Sequence, residues 1–381
     1  MTKDILLSQW MEVRSSALRS NLALFRSIIG DSTQLAAVVK ANAYGHGLAA
    51  VVPVAAPHVD WFAVHTASEA RAIRDLGFGH RILVMGYVSA ADTYLLDADT
   101  HIFVSNSEVA RNLGELKRNS GVSVPVHVKV DTGTNRQGIN PDELLGLCGE
   151  VVDQGLDVVG LATHFANIED TLEHEFARSQ MERFRECIVR VRENGINPPW
   201  IHAACSAAAL LFREADFTLV RVGISMYGHW PSRETQLSWR MGHPKGSLQL
   251  EPMLSWKTVV GQIQKLEAGE TVGYGRTWTA LRETRLAVLP VGYSDGYPRA
   301  LGGRGRVLVH GRPAPVVGRV CMNISLVDVT DVPEVEVGDE VILLGRDGEL
   351  EISAEELAGL AGTINYEFLS RLPPHVIRKV V

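Results

Sequence analysis

Lys40 closes the run LAAVVK, an apolar and β-branched stretch that ends in an amine. A strand that buries such a run leaves the lysine desolvated at its end, which lowers its pKa and favours the free amine. A free amine can add to an aldehyde and form a Schiff base. A strand-end lysine can also lay its stem on apolar surface and keep its charge in water, so position alone does not separate the two readings. Arg221 stands in a second such run, FTLVRVG, as a permanent cation with no proton to give up near neutral pH. His164 ends a third, LDVVGLATHF, where a histidine is often just a satisfied core residue. Gly223 and Ile224 follow the second run, and Ser206 opens the helix-like AAALLF. Free backbone N–H groups and a hydroxyl at such places suit an anion such as a phosphate.

These residues fall at the ends of strand-like segments, which must position them. The segments are QLAAVV (34–39), DWFAVH (60–65), RILVMG (81–86), HIFVS (101–105), VPVHVKVD (124–131), LDVVGLATHF (156–165), WIHAAC (200–205) and FTLVRVG (217–223). Helical patterns alternate with them: HGLAAVVPVAA, SEARAIRDLG, NSEVARNLGELKRN with its Asn/Ser cap, PDELLGLCGEVVDQG, and a long charged stretch from Leu172. Eight strands alternating with helices predict a (β/α)8 TIM-type barrel, whose active site lies at the C-terminal ends of the strands.

After about residue 230 the composition changes. GHWPSRETQLSWRMGHPKGS reads as a linker, and short alternating segments separated by turn residues then predict a mostly-β domain. The expected division is a barrel over 14–243 and a β-domain over 246–381, the latter joined by an N-terminal strand, 1–13.

The chain has 381 residues, 46% hydrophobic and 21% charged, as expected of a soluble globular protein. A net charge of −7 argues against a general nucleic-acid binder. Cys148, Cys187, Cys205 and Cys321 form no CxxC pair, so neither zinc nor redox chemistry is suggested, and no metal is expected. MTKDILLSQWMEVR does not read as a signal peptide, and no run approaches a membrane span. A cytoplasmic protein without a membrane partner is expected.

AVVKANAYGHG resembles the cofactor-lysine motif of the alanine racemase family, whose enzymes use pyridoxal phosphate. The resemblance continues in order through WMEV, KVDTG, THFA, RVGISMYG, YGRTW, GYSDGYPR, VGRVCM and GTINYE, covering essentially the whole chain. It implies a pyridoxal 5'-phosphate enzyme that interconverts L- and D-alanine for peptidoglycan, acting on a small amino acid. Racemisation needs an electron sink, a base on each face of the α-carbon, and clamps for phosphate and carboxylate. By resemblance, Lys40 is the Schiff-base partner and one base. Tyr274 is the other, reaching the site from the partner subunit of a homodimer. Arg221 faces the pyridine nitrogen, and His164 links Arg221 with Tyr274. Tyr44 and Tyr366 join Ser206, Gly223 and Ile224 at the phosphate. Arg136 and the Met322 amide hold the substrate carboxylate. Lys129 matches a lysine that some members carry as a carbamate. Tyr293, Arg299 and Arg319 match the substrate entrance.

Three positions depart from the family's usual pattern: Asn323 where aspartate is usual, Thr134 where methionine is frequent, and Cys205 where asparagine is common. They leave a serine or broad-specificity racemase open as an alternative. A basic amino-acid decarboxylase shares the two-domain plan but lacks RVGISMYG and YGRTW. A non-enzymatic cofactor carrier would resemble the barrel alone.

Overall fold

The computed structural model describes residues 8–169, 172–243 and 248–381; the first seven residues of the expected N-terminal strand lie outside these. The chain divides into two compact units. One comprises Ser16–Ala43 and Val51–Glu251; the other comprises the N-terminal stretch to Ser15, Tyr44–Ala50 and Pro252–Val381.

Counting the first strand, Gln9–Val13, as β1, the first unit holds the next eight: β2 (Gln34–Val38), β3 (Trp61–Val64), β4 (Arg81–Val84), β5 (Thr100–Val104), β6 (Val126–Lys129), β7 (Val158–Ala162), β8 (Trp200–His202) and β9 (Leu219–Val222). They form one parallel sheet in the order β8-β7-β6-β5-β4-β3-β2-β9. Thr218 N–H donates to the Ile201 carbonyl at 3.1 Å and Arg221 N–H to that of Ala204 at 3.1 Å, so the sheet nearly closes between β8 and β9. Nearly every strand residue is buried, as expected where helices cover the outside and side chains fill the inside. The eight strands run where the apolar segments predict them; seven are shorter by one to several residues, and Thr100–Val104 keeps the expected length shifted by one residue.

The helix Ala67–Asp75 begins with a capping box between Thr66 and Glu69, and Ser107–Ser120 is capped by Asn106, which accepts Val109 N–H at 3.0 Å. The stretch expected to be a linker contains a helix instead, Arg233–Gly242. Ser232 caps it by accepting Thr235 N–H at 2.9 Å, and Glu234 suits its positive end, so cap chemistry outweighs a polar composition.

The second unit is strand-rich. β1 pairs antiparallel with β10 (Leu254–Val259) and parallel with the C-terminal strand Arg378–Val380. Gln262–Leu266, Thr284–Leu289 and Ser325–Asp328 make a separate antiparallel sheet. Alternate residues of β10 are buried, and Trp256 packs edge-on to Tyr297 at 6.0 Å. Two short helices, Ala354–Ala361 and Asn365–Ser370, complete the unit. Gly45, at φ +80°, lets its segment approach the second helix: a Cβ there would lie 1.9 Å from the Leu369 carbonyl oxygen. Arg378 secures the same segment by donating to the Gly45 carbonyl at 2.7 Å.

Candidate active site

Within the barrel unit the candidate residues gather at the C-terminal ends of the strands. Lys40 follows β2, Lys129 ends β6, His164 lies just past β7, Ser206 follows β8 and Arg221 belongs to β9. Burial lowers the Lys40 pKa, and the positive charges of Arg136 and Arg221 add to this, against the opposing charges of Glu69 and Glu169. Burial brings Lys129 down to about 7, helped by Arg221. His164 is held well below its usual value by burial and by Arg221, Lys129, Arg136 and Lys40. These groups thus sense one another across the mouth, and repulsion among cations favours neutral amines and a neutral imidazole.

Arg221 stays protonated, although burial lowers it to about 10. Its Nη2 donates to the carbonyls of Thr163 at 3.0 Å and Ala203 at 3.2 Å. Its Nη1 donates to His202 Nδ1 at 2.5 Å. A guanidinium has no acceptor, so His202 Nδ1 must be the unprotonated nitrogen. With burial keeping His202 neutral, its proton sits on Nε2, which donates to His127 Nδ1 at 2.8 Å. By the same reasoning His127 Nε2 donates to His101 Nδ1 at 2.9 Å. Burial depresses His127 strongly and takes His101 to about 4. One arginine therefore sets three tautomers in a chain across the barrel interior. Gly160 makes room for it, since a Cβ there would lie 2.1 Å from His127 Nδ1.

The loop that carries Arg136 is shaped by Asp131. Burial disfavours its ionisation, but the amides of Gly133, Asn135 and Arg136, at 2.9, 3.1 and 3.1 Å, outweigh this and hold it below the usual carboxylate range. Thr134 adds a tie by donating from Oγ1 to the His164 carbonyl at 2.6 Å. Ser206 Oγ accepts Gly223 N–H at 3.0 Å, so hydroxyl and amide meet beside Ile224. The neighbouring Ser225 hydroxyl is buried and has no hydrogen-bond partner among the described residues. Cys205 Sγ lies 3.8 Å from Glu169 Oε1, and burial raises its thiol to about 12, so it stays protonated.

The remaining candidates belong to the strand-rich unit. Tyr44 and Tyr366 face each other with ring centroids 6.1 Å apart. Tyr274 is 76% exposed, Met322 57% and Tyr293 42%. The Tyr293 and Met322 loops are stapled: Tyr293 N–H donates to the Cys321 carbonyl at 3.0 Å, and Ser294 donates twice to the Met322 carbonyl, at 2.9 and 2.8 Å. Asn323 Nδ2 donates to Ser294 Oγ at 2.6 Å, with Asp295 Oδ2 at 3.5 Å.

Spacing does not single out His101, His127 or His202, because 26 and 75 residues separate the bonded pairs. The only signal in the sequence is that five of the eight strand-like segments contain a histidine, which does not single these three out. Among the described residues no helix is long and apolar enough to cross a membrane.

Cationic and hydroxyl groups at the mouth of a (β/α)8 barrel, with a strand-rich unit on the same chain, define a barrel enzyme for a small anionic or zwitterionic ligand. The comparisons give the family. Residues 13–231 match "Alanine racemase, N-terminal domain" and residues 253–380 match "Alanine racemase, C-terminal domain". An alanine racemase of Leptospira interrogans is 38% identical over 379 residues, 98% of this chain and 96% of its own. The crystal structure of alanine racemase from Streptomyces lavendulae superposes with a TM-score of 0.90 at 30% identity, covering 98% of this chain and 97% of its own. That from Bartonella henselae, with covalently bound pyridoxal phosphate, gives 0.84 at 25% identity, covering 98% and 100%. The chain belongs to the alanine racemase family, whose members are pyridoxal phosphate-dependent isomerases.

Proposed function

We propose that this chain racemises alanine with pyridoxal phosphate by two-base proton transfer, and so supplies D-alanine for peptidoglycan. The observation that carries the reading is Lys40. It is an amine at the barrel mouth whose proton affinity is lowered by burial and by Arg136 and Arg221, in a chain of this family.

The residues present fit the cofactor. Lys40 would hold it, Arg221 would donate toward its ring nitrogen, and Ser206, Gly223, Ile224, Tyr44 and Tyr366 would receive the phosphate. The unpartnered Ser225 hydroxyl beside Ile224 supports an anion there. Pyridoxal phosphate, when bound, supplies the sink for the electrons left on the α-carbon. Lys40 exchanges the α-proton on one face and Tyr274 on the other. Arg221, permanently protonated and anchored through His202, has no proton to yield to a ring nitrogen, which weakens the sink and disfavours side reactions such as transamination. Arg136 and the Met322 amide would grip the substrate carboxylate, with Tyr293 at the entrance. Lys129, at about 7, has free amine at neutral pH, which carbamate formation requires. His164, neutral among cations, serves as a hydrogen-bonding bridge rather than a charge.

We further propose a cytoplasmic homodimer in which Tyr274 serves the Lys40 site of the partner subunit, and a division near 14–243 and 246–381. The test is chiral chromatography of the purified protein with pyridoxal phosphate, given L-alanine and L-serine separately. Fast conversion of alanine with little of serine supports the reading. Equal or faster serine conversion moves the function to a serine or broad-specificity racemase. Conversion of neither overturns it.

A further inference from the structure

Lys40 is followed by a left-handed turn. Ala41, Asn42, Ala43 and Tyr44 have φ of 52, 54, 54 and 53°, and none is glycine. Left-handed helical backbone is costly for L residues, so such a run persists only where its surroundings over-determine it. The Ala43 N–H donates to the Val39 carbonyl at 2.9 Å and helps to close the turn from inside. The Ala41 amide, first after the lysine, leaves the turn and donates to Glu69 Oε1 at 2.6 Å. Glu69 Oε2 accepts the amides of His65 at 2.8 Å and Thr66 at 3.1 Å.

Glu69 has an ordinary reason to stand where it does. It is the third residue of the helix Ala67–Asp75, and its bond to Thr66 N–H completes the capping box there. A capping glutamate needs only that bond. The bonds to Ala41 and His65 go beyond it, and they tie the chain after β2 to the end of β3, its parallel neighbour in the barrel. We propose that Glu69 is a positioning residue for Lys40: its carboxylate pins the left-handed turn through the Ala41 amide and so fixes the direction in which the lysine leaves the strand. The negative charge also opposes the burial that lowers the Lys40 pKa. That Lys40 is the working amine rests on the function proposed above; the clamp itself does not.

The test compares Glu69→Gln with Thr66→Ala in the full chain. Glutamine keeps the shape of glutamate but has no charge and presents one end as a donor, which cannot face a backbone N–H. Thr66→Ala breaks the capping box from its other side and leaves the Ala41 bond. Two quantities are measured: hydrogen exchange of the Ala41 amide, and the pH midpoint of Lys40 acylation in chain freed of cofactor, read by mass spectrometry of the Lys40 peptide. Glu69→Gln raises Ala41 exchange about tenfold or more and lowers the Lys40 midpoint, while Thr66→Ala moves neither. Should Glu69→Gln fail to fold, Glu69→Asp keeps the charge and is one methylene too short to span both strands. Ala41 exchange then rises while the Lys40 midpoint holds. Equal effects of Glu69→Gln and Thr66→Ala, or unchanged Ala41 exchange in the Glu69 variants, would reduce Glu69 to a helix cap and overturn the proposal. Neither measurement uses racemisation, so loss of the proposed function leaves the outcome readable.

Discussion

In the barrel unit Lys129, Ser206 and Arg221 are buried, whereas in the strand-rich unit Tyr274 and Met322 are largely exposed. The barrel residues are tuned where they stand, because burial and a ring of neighbouring cations alter their proton affinities without any ligand. The Met322 loop is held instead by side-chain hydrogen bonds, from Ser294 Oγ to the Met322 carbonyl and from Asn323 Nδ2 to Ser294 Oγ. One unit supplies prepared chemistry. The other supplies hydrogen-bonded loops whose tips face solvent and acquire an environment only when something covers them.

The largest expected effects separate the two proposed bases. Lys40→Ala lowers racemisation by about 10⁴-fold or more in both directions, since it removes a base and the cofactor's anchor. Tyr274→Phe loses about 10²–10⁴-fold, and in deuterated water incorporation of solvent deuterium falls more from one enantiomer than from the other. Mixing the two inactive variants sharpens the contrast. If the tyrosine serves a partner's lysine, random exchange of subunits restores about a quarter of full activity. No recovery after verified exchange breaks that arrangement.

Next come two glycines, one in each unit. Gly45→Ala combines a positive φ with a clash on the Leu369 backbone, so a loss of about 3 kcal/mol or more is expected. Gly160→Ala meets only the His127 side chain and is expected to cost about 1–3 kcal/mol, with loss of the hydrogen-bonded imidazole resonances. Urea unfolding ranks the two, and the reverse order would show that the histidine chain is the more rigid obstacle.

A smaller effect tests the tuning. Burial brings Lys129 from 10.5 to about 7. Between those values the unfolded chain holds a proton on Lys129 that the folded chain does not, so this residue makes stability rise with pH across that window. Lys129→Met removes the penalty. Its stabilisation is greatest at and below about pH 7 and shrinks towards pH 10.5, as urea unfolding with carbon dioxide excluded would show. Smallest is Asn323→Asp. It places a second carboxylate beside Asp295 on an exposed loop, and less than about 1 kcal/mol of stability is at stake. The informative measurement is the alanine-to-serine ratio of kcat/KM. An unchanged ratio would make Asn323 a loop staple and not a selector.

Much of the barrel is legible in the chain, because apolar β-branched runs such as QLAAV and THIFV can hardly be placed except as strands covered on both faces. The ends of those runs also mark Lys40, His164 and Arg221. The helix Arg233–Gly242 is less legible, since polar residues hide a pattern whose decisive feature is one serine cap. The left-handed turn is invisible, because Ala, Asn, Ala and Tyr carry no preference for positive φ as a group; Glu69, 28 residues from Ala41, helps to impose it.

The sequence by itself determined which residues could do chemistry and that strands would carry them, because residue type and local apolar periodicity are properties of short stretches. Only the tertiary structure decided their state. Barrel closure brings Arg221 to His202, and that contact orders His127 and His101 in turn. The same closure withdraws Lys40 and Lys129 from water among fixed cations. Proton affinity depends on solvent and on charges brought near through space, and neither is written in neighbouring residues.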